Sequence, residues 1–474
     1  MFFWPLFWKI LLIGGIALFI AMFLFVSFRG FFEIKDLLGI KASHPPSDDV
    51  IDYSKNYKRT IFTWSLYDFA NQPYPTIIIT FIYSNFFTKT LAADYPNGDV
   101  MWLFAISICA IIIALLSPLM GAIADRSGYR KTYLILSTWI CVISTIFLYF
   151  PLPGQIFFAL TLVIISNAAF EMGQVFCNSY LPDIAPREKI GRISGYGWSL
   201  GYFGGLVALA ICYAVFYAPS TPTNPLTGNL LNTNSFEQVR AMPVFIAIWF
   251  ALFSLPTFMY VKDRKIDKTK KVSIKKSYYE LVKTFKEIKK YKNIARFLIA
   301  RMLYNDAILT IFGFGGIYAG EKYGWGAGMM LLFGIILNIG AGAGAFLFGF
   351  LDDKIGAKRT IQISNYAIFI AVIMAILAPT VKWFWLAGII MGIASGPNQS
   401  ASRSLMGRII PKGKTNEFYG FYAFSGKATS FAGFLLLGVV KLATGSQEIG
   451  MLAVSMLLIG GIFLLSKVND RSEI

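Results

Sequence analysis

Four ionisable residues stand out inside long apolar runs of the sequence: Asp68, Glu171, Asp306 and Lys427. A charged side chain at the centre of a membrane-spanning helix costs about 2.5 to 3.5 kcal/mol on insertion scales, so a residue of this kind indicates a function. A carboxylate there can bind a proton or a cationic solute, and a lysine needs a carboxylate from the protein or from a substrate. Glu171 lies nearer the end of its run, where snorkelling toward the interface is the alternative.

Polar residues and prolines surround the two aspartates. At about 1.5 Å per residue, Asp68 and Asp306 lie roughly 12 Å or more into their runs. Pro73 and Pro75 interrupt the helix beside Asp68, which frees carbonyl groups that only protein, water or a bound solute can satisfy. A packing kink satisfied by neighbouring helices is the alternative. The polar neighbours that complete the predicted substrate or proton site are Asn71, Gln72, Tyr74, Tyr304 and Asn305.

The elements that position these residues are predicted to be transmembrane helices. The chain has 474 residues, of which 56% are hydrophobic and 14% charged, whereas about a quarter of the residues of a soluble domain are charged. Thirteen runs are apolar and long enough to span a membrane as helices. They lie near 5–28, 61–88, 100–123, 132–150, 153–177, 193–217, 241–261, 297–319, 326–350, 360–379, 383–406, 417–441 and 447–466.

Lysine and arginine alternate between rich and poor connections along the chain. Because basic connections stay in the cytoplasm, this pattern predicts twelve helices after Arg29 with both ends cytoplasmic. The first run is an additional helix, which we interpret as an uncleaved anchor, with a secretory signal as the alternative. The net charge of +18 lies in these connections, so the sequence does not predict binding to nucleic acid.

Several classes of chemistry find no support in the sequence. The four cysteines lie in apolar runs without a C-x-x-C spacing, and the single histidine, His44, lies in a polar connection. No G-x-x-x-x-G-K-[ST] loop for ATP is present. We therefore predict no metal, no cofactor and no enzymatic activity.

An internal repeat divides the chain. GAIADRSGYRK at 121–131 and GFLDDKIGAKR at 349–359 share one motif at an offset of 228, each after the second helix of its half. The repeat makes the helices of Asp68 and Asp306 equivalent, so we expect the two carboxylates to face a central cavity across a pseudo-twofold axis. The motif residues predicted to take part in gating are Gly121, Asp125, Arg126, Gly128, Arg130, Gly349, Asp353, Lys354, Gly356 and Lys358.

Two six-helix halves with this duplicated motif resemble the major facilitator superfamily. WSLYDFANQPYPT at 64–76, YLPDIAP at 180–186, SGYGWSLGYFGG at 194–205, SRSLMGRIIP at 402–411 and FYGFYAFSGKATSFAG at 418–433 narrow the resemblance. They are similar to the bacterial branch of the autophagy-related vacuolar effluxer family. The resemblance implies an all-α fold of two pseudo-symmetric six-helix bundles, here with one extra N-terminal helix.

The resemblance also implies roles for the motif residues. Asp125 and Arg130 would latch the cytoplasmic ends of the halves together in the outward-open state, and Asp353 and Lys358 would do so in the second copy. The alternative is that these residues only set topology and form turns, with Gly128 and Gly356 in the tight bends.

Four regions are predicted: 1–59 with the extra helix and its connector, bundles at 60–261 and 297–474, and a basic linker at 262–296. The linker has a net charge of +10 and carries an apolar stripe. This pattern predicts an amphipathic helix on anionic lipids, with a solvated linker as the alternative. The stripe consists of Ile274, Tyr278, Leu281, Phe285 and Ile288.

The resulting functional prediction is a secondary active transporter. It moves a small polar solute, an amino acid or a similar metabolite, by alternating access, in the direction of efflux and coupled to a proton or another ion. We expect a monomer in a bacterial cytoplasmic membrane with its C-terminus in the cytoplasm. The alternatives are an exporter of another metabolite or drug, and a sensor or scaffold with the same fold that does not transport.

Overall fold

A computed structural model describes residues 57–95, 97–217, 231–232, 235–263, 279, 282–284, 287–411, 413–430 and 432–470. The predicted first helix at 5–28 and most of the predicted amphipathic helix in the linker lie outside these residues. The described residues contain helices and turns and no strand, which confirms the all-α prediction.

Twelve main helices follow one another through the described residues, and their order matches the twelve runs predicted after Arg29. They are α1 (Tyr57–Asn71), α2 (Gly98–Ser127), α3 (Arg130–Phe147), α4 (Ile156–Asn178), α5 (Ile190–Cys212), α6 (Glu237–Tyr260), α7 (Lys292–Tyr323), α8 (Ala327–Ile355), α9 (Ala357–Leu377), α10 (Val381–Ile409), α11 in two segments (Thr415–Lys427 and Ala432–Thr444) and α12 (Gln447–Ser466).

Helix α1 ends where its prolines begin. The chain continues beyond Pro73 as wide helical turns at Pro75–Phe81 and Phe87–Leu91. Pro73 has no N–H group to donate to the Phe69 carbonyl. This carbonyl instead accepts a hydrogen bond from the Trp249 indole of α6 at 3.2 Å. The free carbonyl is therefore bonded by a neighbouring helix, which agrees with the alternative that the prolines form a packing kink.

Nine helices in the described residues are long and apolar enough to cross a membrane. Helix α10 is not among them because a polar run, Ser395 to Ser404, interrupts its hydropathy. The polar side chains of that run are buried or half-buried, which places α10 inside the bundle.

The helices alternate in direction, so each end of the bundle collects every second connection. At one end, Asp263 after α6 accepts a hydrogen bond from the Lys131 N–H at the start of α3. We call this the basic end, because it carries the lysine- and arginine-rich connections. At the opposite end, Gly154 before α4 donates to the Leu91 carbonyl at 2.9 Å.

Two hydrophobic cores correspond to the two copies of the repeat. One consists mainly of residues from α1 to α6 and the other mainly of residues from α7 to α12, and we call these groups of helices the N-terminal and C-terminal halves. The halves meet along the pairs α2 with α11 and α5 with α8. The repeat relates each helix of the N-terminal half to the helix six places later in the C-terminal half. It therefore relates the pair of α2 with α11 to the pair of α8 with α5.

Glycines allow the helices of these pairs to approach closely. A Cβ atom at Gly121 would overlap the Asn416 backbone of α11, and one at Gly349 would lie 2.9 Å from the Arg192 Cα of α5. Small residues at such positions bring two helix backbones into contact. The glycines that open the repeated motif therefore have a packing role in both copies.

Packing inside the C-terminal half gives a first testable prediction. A Cβ atom at Gly396 of α10 would overlap the Ala341 carbonyl of α8. We expect Gly396→Ala to lower the free energy of unfolding by about 1–3 kcal/mol, because neither backbone can yield without a shift of the helix. Thermal unfolding of the purified protein measures the change.

The matched control is Gly438→Ala in the second segment of α11, where a Cβ atom would meet nothing within 4 Å. There the substitution should be neutral or stabilising by up to about 1 kcal/mol, because alanine is the better helix former. Equal stability of the two variants would contradict the close approach of α8 and α10.

Candidate functional site

Arg403 of α10 reaches from the C-terminal half into a buried pocket of the N-terminal half. Its guanidinium donates to the Asp68 carboxylate of α1 at 2.8 Å and to the Asn178 side-chain carbonyl at 3.0 Å. It also donates to the Ser194 hydroxyl at 2.9 Å and to the Ser194 carbonyl at 2.7 Å. Three helices of one half therefore hold a single side chain of the other.

This ion pair is closed off from solvent. The side chains of Arg403 and Asp68 are 1% and 5% exposed. The guanidinium carbon lies 4.8 Å from the Trp64 ring centroid and 5.6 Å from that of Trp198. A fully hydrogen-bonded pair of this kind is costly to break, because either partner alone would be a buried, uncompensated charge.

Asp68 was predicted from the sequence as a site residue, whereas Arg403 was not. Arg403 lies inside the predicted run 383–406 and within a motif that carried the family resemblance. An arginine in a predicted transmembrane run, next to a line of serines, was the available signal. The pairing itself was not predictable, because 335 residues separate the two partners.

A second ion pair between the halves is partly open. The Lys427 ammonium group, at the end of the first segment of α11, lies 2.6 Å from the Glu171 carboxylate of α4. Their side chains are 34% and 16% exposed. Lys427 thus has the carboxylate partner that its depth required, and that partner comes from the opposite half. Arg301 and Cys109 are further groups that act electrostatically on Lys427.

Polar side chains of the C-terminal half lie beside Lys427. Arg301 of α7 donates to the Tyr422 carbonyl at 2.8 Å and to the Ser425 hydroxyl at 2.9 Å. Asn305 accepts a hydrogen bond from the Gln399 side chain at 3.1 Å and donates to the Gly426 carbonyl, one residue before Lys427. This group links α7, α10 and α11 at the point where α11 is interrupted.

Asp306 has surroundings different from those of Asp68. One oxygen of the Asp306 carboxylate accepts a hydrogen bond from the Gly433 N–H at 2.9 Å, at the start of the second segment of α11. The sequence predicted that the two aspartates face one cavity across the axis. In the structure Asp68 is closed off by Arg403, and Asp306 lies against the interruption of α11.

Two predicted tyrosines pack inside their own halves. The Tyr74 hydroxyl is 2.7 Å from the Ser166 hydroxyl of α4, and the Tyr304 hydroxyl is 2.7 Å from the Ser402 hydroxyl of α10. Both side chains are buried. The structure therefore does not bring them into the group around the ion pairs, because their hydroxyls are used to join helices of one half.

The amides after Asp68 differ in their surroundings. The Asn71 side chain is fully buried, and neither its oxygen nor its nitrogen has a hydrogen-bond partner. Gln72 lines a cavity of about 40 Å³ between the halves, with Tyr202 of α5 and Asn338 of α8 among the other lining residues. Gln72, a predicted polar neighbour of Asp68, thus borders a cavity between the halves.

The repeated motif aspartates cap helices of the opposite half. Asp125 accepts hydrogen bonds from the Asn416 and Glu417 N–H groups at 3.0 and 2.7 Å, at the start of α11. Asp353 accepts from the Gly191 N–H at 2.9 Å, at the start of α5. An anion at a helix N-terminus satisfies otherwise unbonded N–H groups, so both aspartates join the halves at the basic end.

The cations of the same motif behave differently from the expectation. Arg130 binds Asp183 at 2.8 Å and the Ser179 carbonyl at 2.8 Å, and the Lys358 ammonium group binds the Ser466 carbonyl at 2.7 Å. These partners belong to the same half, so the contacts of Arg130 and Lys358 in this structure do not join the two halves as the latch prediction expected. Arg130 lies at the start of α3 and contacts the chain just after α4, and Lys358 lies at the start of α9 and contacts the end of α12.

The remaining motif residues are consistent with turns. Gly128 and Gly356 have φ angles of 65° and 92°, a region that favours glycine, where α2 and α8 end. Arg126 is half-buried and Lys354 is exposed.

Comparison with known proteins identifies the family. The family model described as vacuole effluxer Atg22 like matches residues 97–473. The chain belongs to this family. The MFS-type transporter YxiO of Bacillus subtilis is 27% identical over 423 residues, which cover 88% of this chain and 97% of YxiO. Autophagy-related protein 22 of Yarrowia lipolytica is 22% identical over 490 residues, which cover 84% of this chain and 78% of that protein.

Solved structures place this Atg22-like chain in the major facilitator fold. The transporter FucP in its outward conformation has a TM-score of 0.69 at 12% identity, over 88% of this chain and 99% of FucP. The human organic anion transporter MFSD10 has a TM-score of 0.67 at 12% identity, over 86% of this chain and 99% of MFSD10. The protein is therefore an integral membrane transporter of the major facilitator superfamily and not an enzyme.

Proposed function

We propose that this Atg22-like transporter exports a small zwitterionic solute, an amino acid or a similar metabolite, by alternating access. The observation that carries the proposal is the ion pair of Glu171 and Lys427, one residue from each half, 2.6 Å apart and partly exposed. The direction is supported by the family description, which names an effluxer.

The chemistry of the pair favours a zwitterion. An amino acid presents one ammonium group and one carboxylate, so its charges complement those of Glu171 and Lys427. Binding would exchange an internal ion pair for two intermolecular ones, so neither protein charge would be left without a partner. The side-chain exposures of 34% and 16% leave room for this exchange, whereas Arg403 and Asp68 have no such access.

Alternating access gives the two groups of contacts distinct roles. We assign the basic end to the cytoplasm, because lysine- and arginine-rich connections stay on that side. The halves are joined there by Asp125, Asp353 and Arg403, which supports a state closed to the cytoplasm. Opening to the cytoplasm must break these contacts while the halves rock around the site.

The experiment is transport by the purified protein in proteoliposomes. A panel of radiolabelled amino acids is offered with and without a pH gradient, and protein-free liposomes are the control. We expect saturable, protein-dependent movement of at least one amino acid without ATP, because the sequence has no ATP-binding loop. In cell membranes, inside-out vesicles should accumulate the solute and right-side-out vesicles should release it.

Two other outcomes would change the assignment. Movement of other metabolites or drugs but of no amino acid would replace the substrate class. Absence of movement for every solute, by protein that remains folded and monodisperse, would favour a sensor or scaffold and contradict the proposal.

A further inference from the structure

The Asp306 carboxylate in the middle of α7 is incompletely bonded. Asp306 is 3% exposed. One of its carboxylate oxygens accepts a hydrogen bond from the Gly433 N–H, and the other oxygen has no hydrogen-bond partner. An ionised carboxylate offers about four acceptor positions, so a single hydrogen bond leaves most of them empty. A buried charge in this condition must bind a cation or take up a proton.

A second unbonded oxygen lies one helical turn away. Thr310 of α7 is fully buried, and its hydroxyl has no hydrogen-bond partner. A Cβ atom at Gly433 would overlap that hydroxyl and lie 3.3 Å from the Asp306 carbonyl oxygen. Asp306, Thr310 and Gly433 therefore meet at one place, where only a glycine fits.

This place is the interruption of α11. The first segment ends at Lys427, Ala428 to Ser430 form a turn, and the second segment begins at Ala432. Discontinuous helices near the middle of the membrane are where secondary transporters bind their coupling ions, because the interruption exposes backbone groups.

The charged groups on the helices around α7 do not neutralise Asp306. Arg301 is bonded to Tyr422 and Ser425. Further charges on these helices are engaged elsewhere: Lys427 with Glu171, Arg403 with Asp68, Arg408 with Asp352 and Asp353, Glu448 with Ser446 and Tyr318, Lys358 with Ser466, Lys441 with Glu321, Lys414 with Glu417, and Lys322 with Tyr318. Among the described residues, no ion pair and no hydrogen bond from a cationic side chain reaches the Asp306 carboxylate.

We propose that Asp306 and Thr310 bind the coupling cation of the transporter, a proton or a sodium ion. The two share one chemistry, a small monovalent cation that neutralises the free Asp306 oxygen. Asp306 binds the start of the second segment of α11, and Lys427 ends the first segment. Binding of a cation at Asp306 would therefore affect the ion pair of Lys427 and Glu171 across the interruption. The role of this cation as the driving ion rests on the proposed function, but its binding can be tested without any substrate.

The rival explanation is that Asp306 is only an anionic cap for the second segment of α11, stabilised by its helix dipole. A cap would stay ionised and would bind nothing further. The two explanations differ in whether the purified protein takes up a cation at Asp306.

The experiment uses the full-length protein in lipid nanodiscs. Binding of ²²Na⁺ is measured by scintillation proximity at several pH values, and infrared difference spectroscopy follows the carboxyl C=O band of a buried, protonated acid. The variants are Asp306→Asn and Thr310→Val, and Asp99→Asn, an exposed residue at the start of α2, is the matched control.

A sodium site predicts saturable ²²Na⁺ binding that Asp306→Asn abolishes and that Thr310→Val weakens about tenfold or more, the scale of losing one supporting group. A proton site predicts a carboxyl band that titrates with pH, is lost in Asp306→Asn and remains in Thr310→Val. Asp99→Asn should change neither signal.

The inference is overturned if the wild-type protein binds no sodium and shows no titrating carboxyl band that depends on Asp306. If Asp306→Asn does not fold, Asp306→Glu takes its place: it keeps an acid at this position, so a sodium site should bind ²²Na⁺ with a changed affinity and a proton site should show a shifted carboxyl band. Absence of amino-acid transport would leave these binding results unchanged, so failure of the proposed function and failure of this inference are distinguishable.

Discussion

Replacing Arg403 by methionine should destabilise the protein strongly and abolish transport. The substitution leaves the Asp68 carboxylate, 5% exposed, without its ionic partner. Removal of one member of a buried ion pair costs about 3–5 kcal/mol, because the remaining charge is uncompensated. Asn178 and Ser194 also lose a hydrogen-bond partner. Thermal unfolding in detergent measures the stability, and proteoliposome flux measures the activity.

The double variant Asp68→Asn with Arg403→Met distinguishes the effect of the unpaired charge on stability from the effect of lost side-chain packing. It removes both charges, so it should be more stable than Arg403→Met alone, and a cycle that also includes Asp68→Asn gives the interaction energy of the pair. Arg359→Gln is the control for loss of a cation, because Arg359 is exposed on α9 at the basic end. Wild-type stability in Arg403→Met would show that the pair is not a major contact between the halves.

The same pair explains why the structure is closed at the basic end. Arg403 contacts Asp68, Asn178 and Ser194, which lie on three helices of the other half. Rocking of the halves cannot lengthen these hydrogen bonds gradually, because they weaken steeply with distance and angle. In the proposed alternating access, Arg403 would have to leave its pocket in one step, so the closed and open states would be discrete. The same proposed movement would release the aspartates that cap α5 and α11.

Features that depend on local sequence were predictable. The helices follow from apolar runs, and the turns at Gly128 and Gly356 follow from glycines at the ends of two of them. The small residues that permit close packing, such as Gly121 and Gly349, are also visible in the sequence, but the helices that they contact are not. The repeat then predicted that the two pairs are equivalent.

Features that depend on pairing between distant residues were not predictable. The depth of Lys427 required a carboxylate but did not distinguish Glu171 from Asp68 or Asp306. Tyr74 was assigned to the site because it follows Asp68, yet its ring faces Ser166 and Phe170. Where a side chain points is decided by the helix packed against it, and a single sequence does not contain that information.

Neutralising either Glu171 or Lys427, the partly exposed ion pair, should remove transport while leaving the fold intact. Lys427→Met or Glu171→Gln removes one of the two charges that bind the zwitterion. Loss of such a charge contact costs about 2–5 kcal/mol of binding, which lowers flux at limiting solute about 30-fold or more. The stability should change little, because partly exposed pairs contribute about 1 kcal/mol or less.

A second ion pair of α11, near the end of its second segment, provides matched controls. Lys441 of α11 pairs with Glu321 of α7 at 3.3 Å, within one half and more exposed. Lys441→Met and Glu321→Gln remove the same charges from the same kinds of residue, but they should leave flux and apparent affinity at the wild-type level. Equal losses in both sets would indicate a general effect of charge on the C-terminal half.

Exchanging the two charges distinguishes a substrate site from a structural ion pair. In the double variant Glu171→Lys with Lys427→Glu, an ion pair between α4 and α11 can form again, so folding and any purely structural role should be restored. A zwitterion would have to bind this variant in the reverse orientation, with its ammonium group toward the Arg301 guanidinium, which acts electrostatically on position 427. We therefore expect the stability to recover and the flux to remain low. Recovery of both would show that Glu171 and Lys427 hold the halves together without binding the solute.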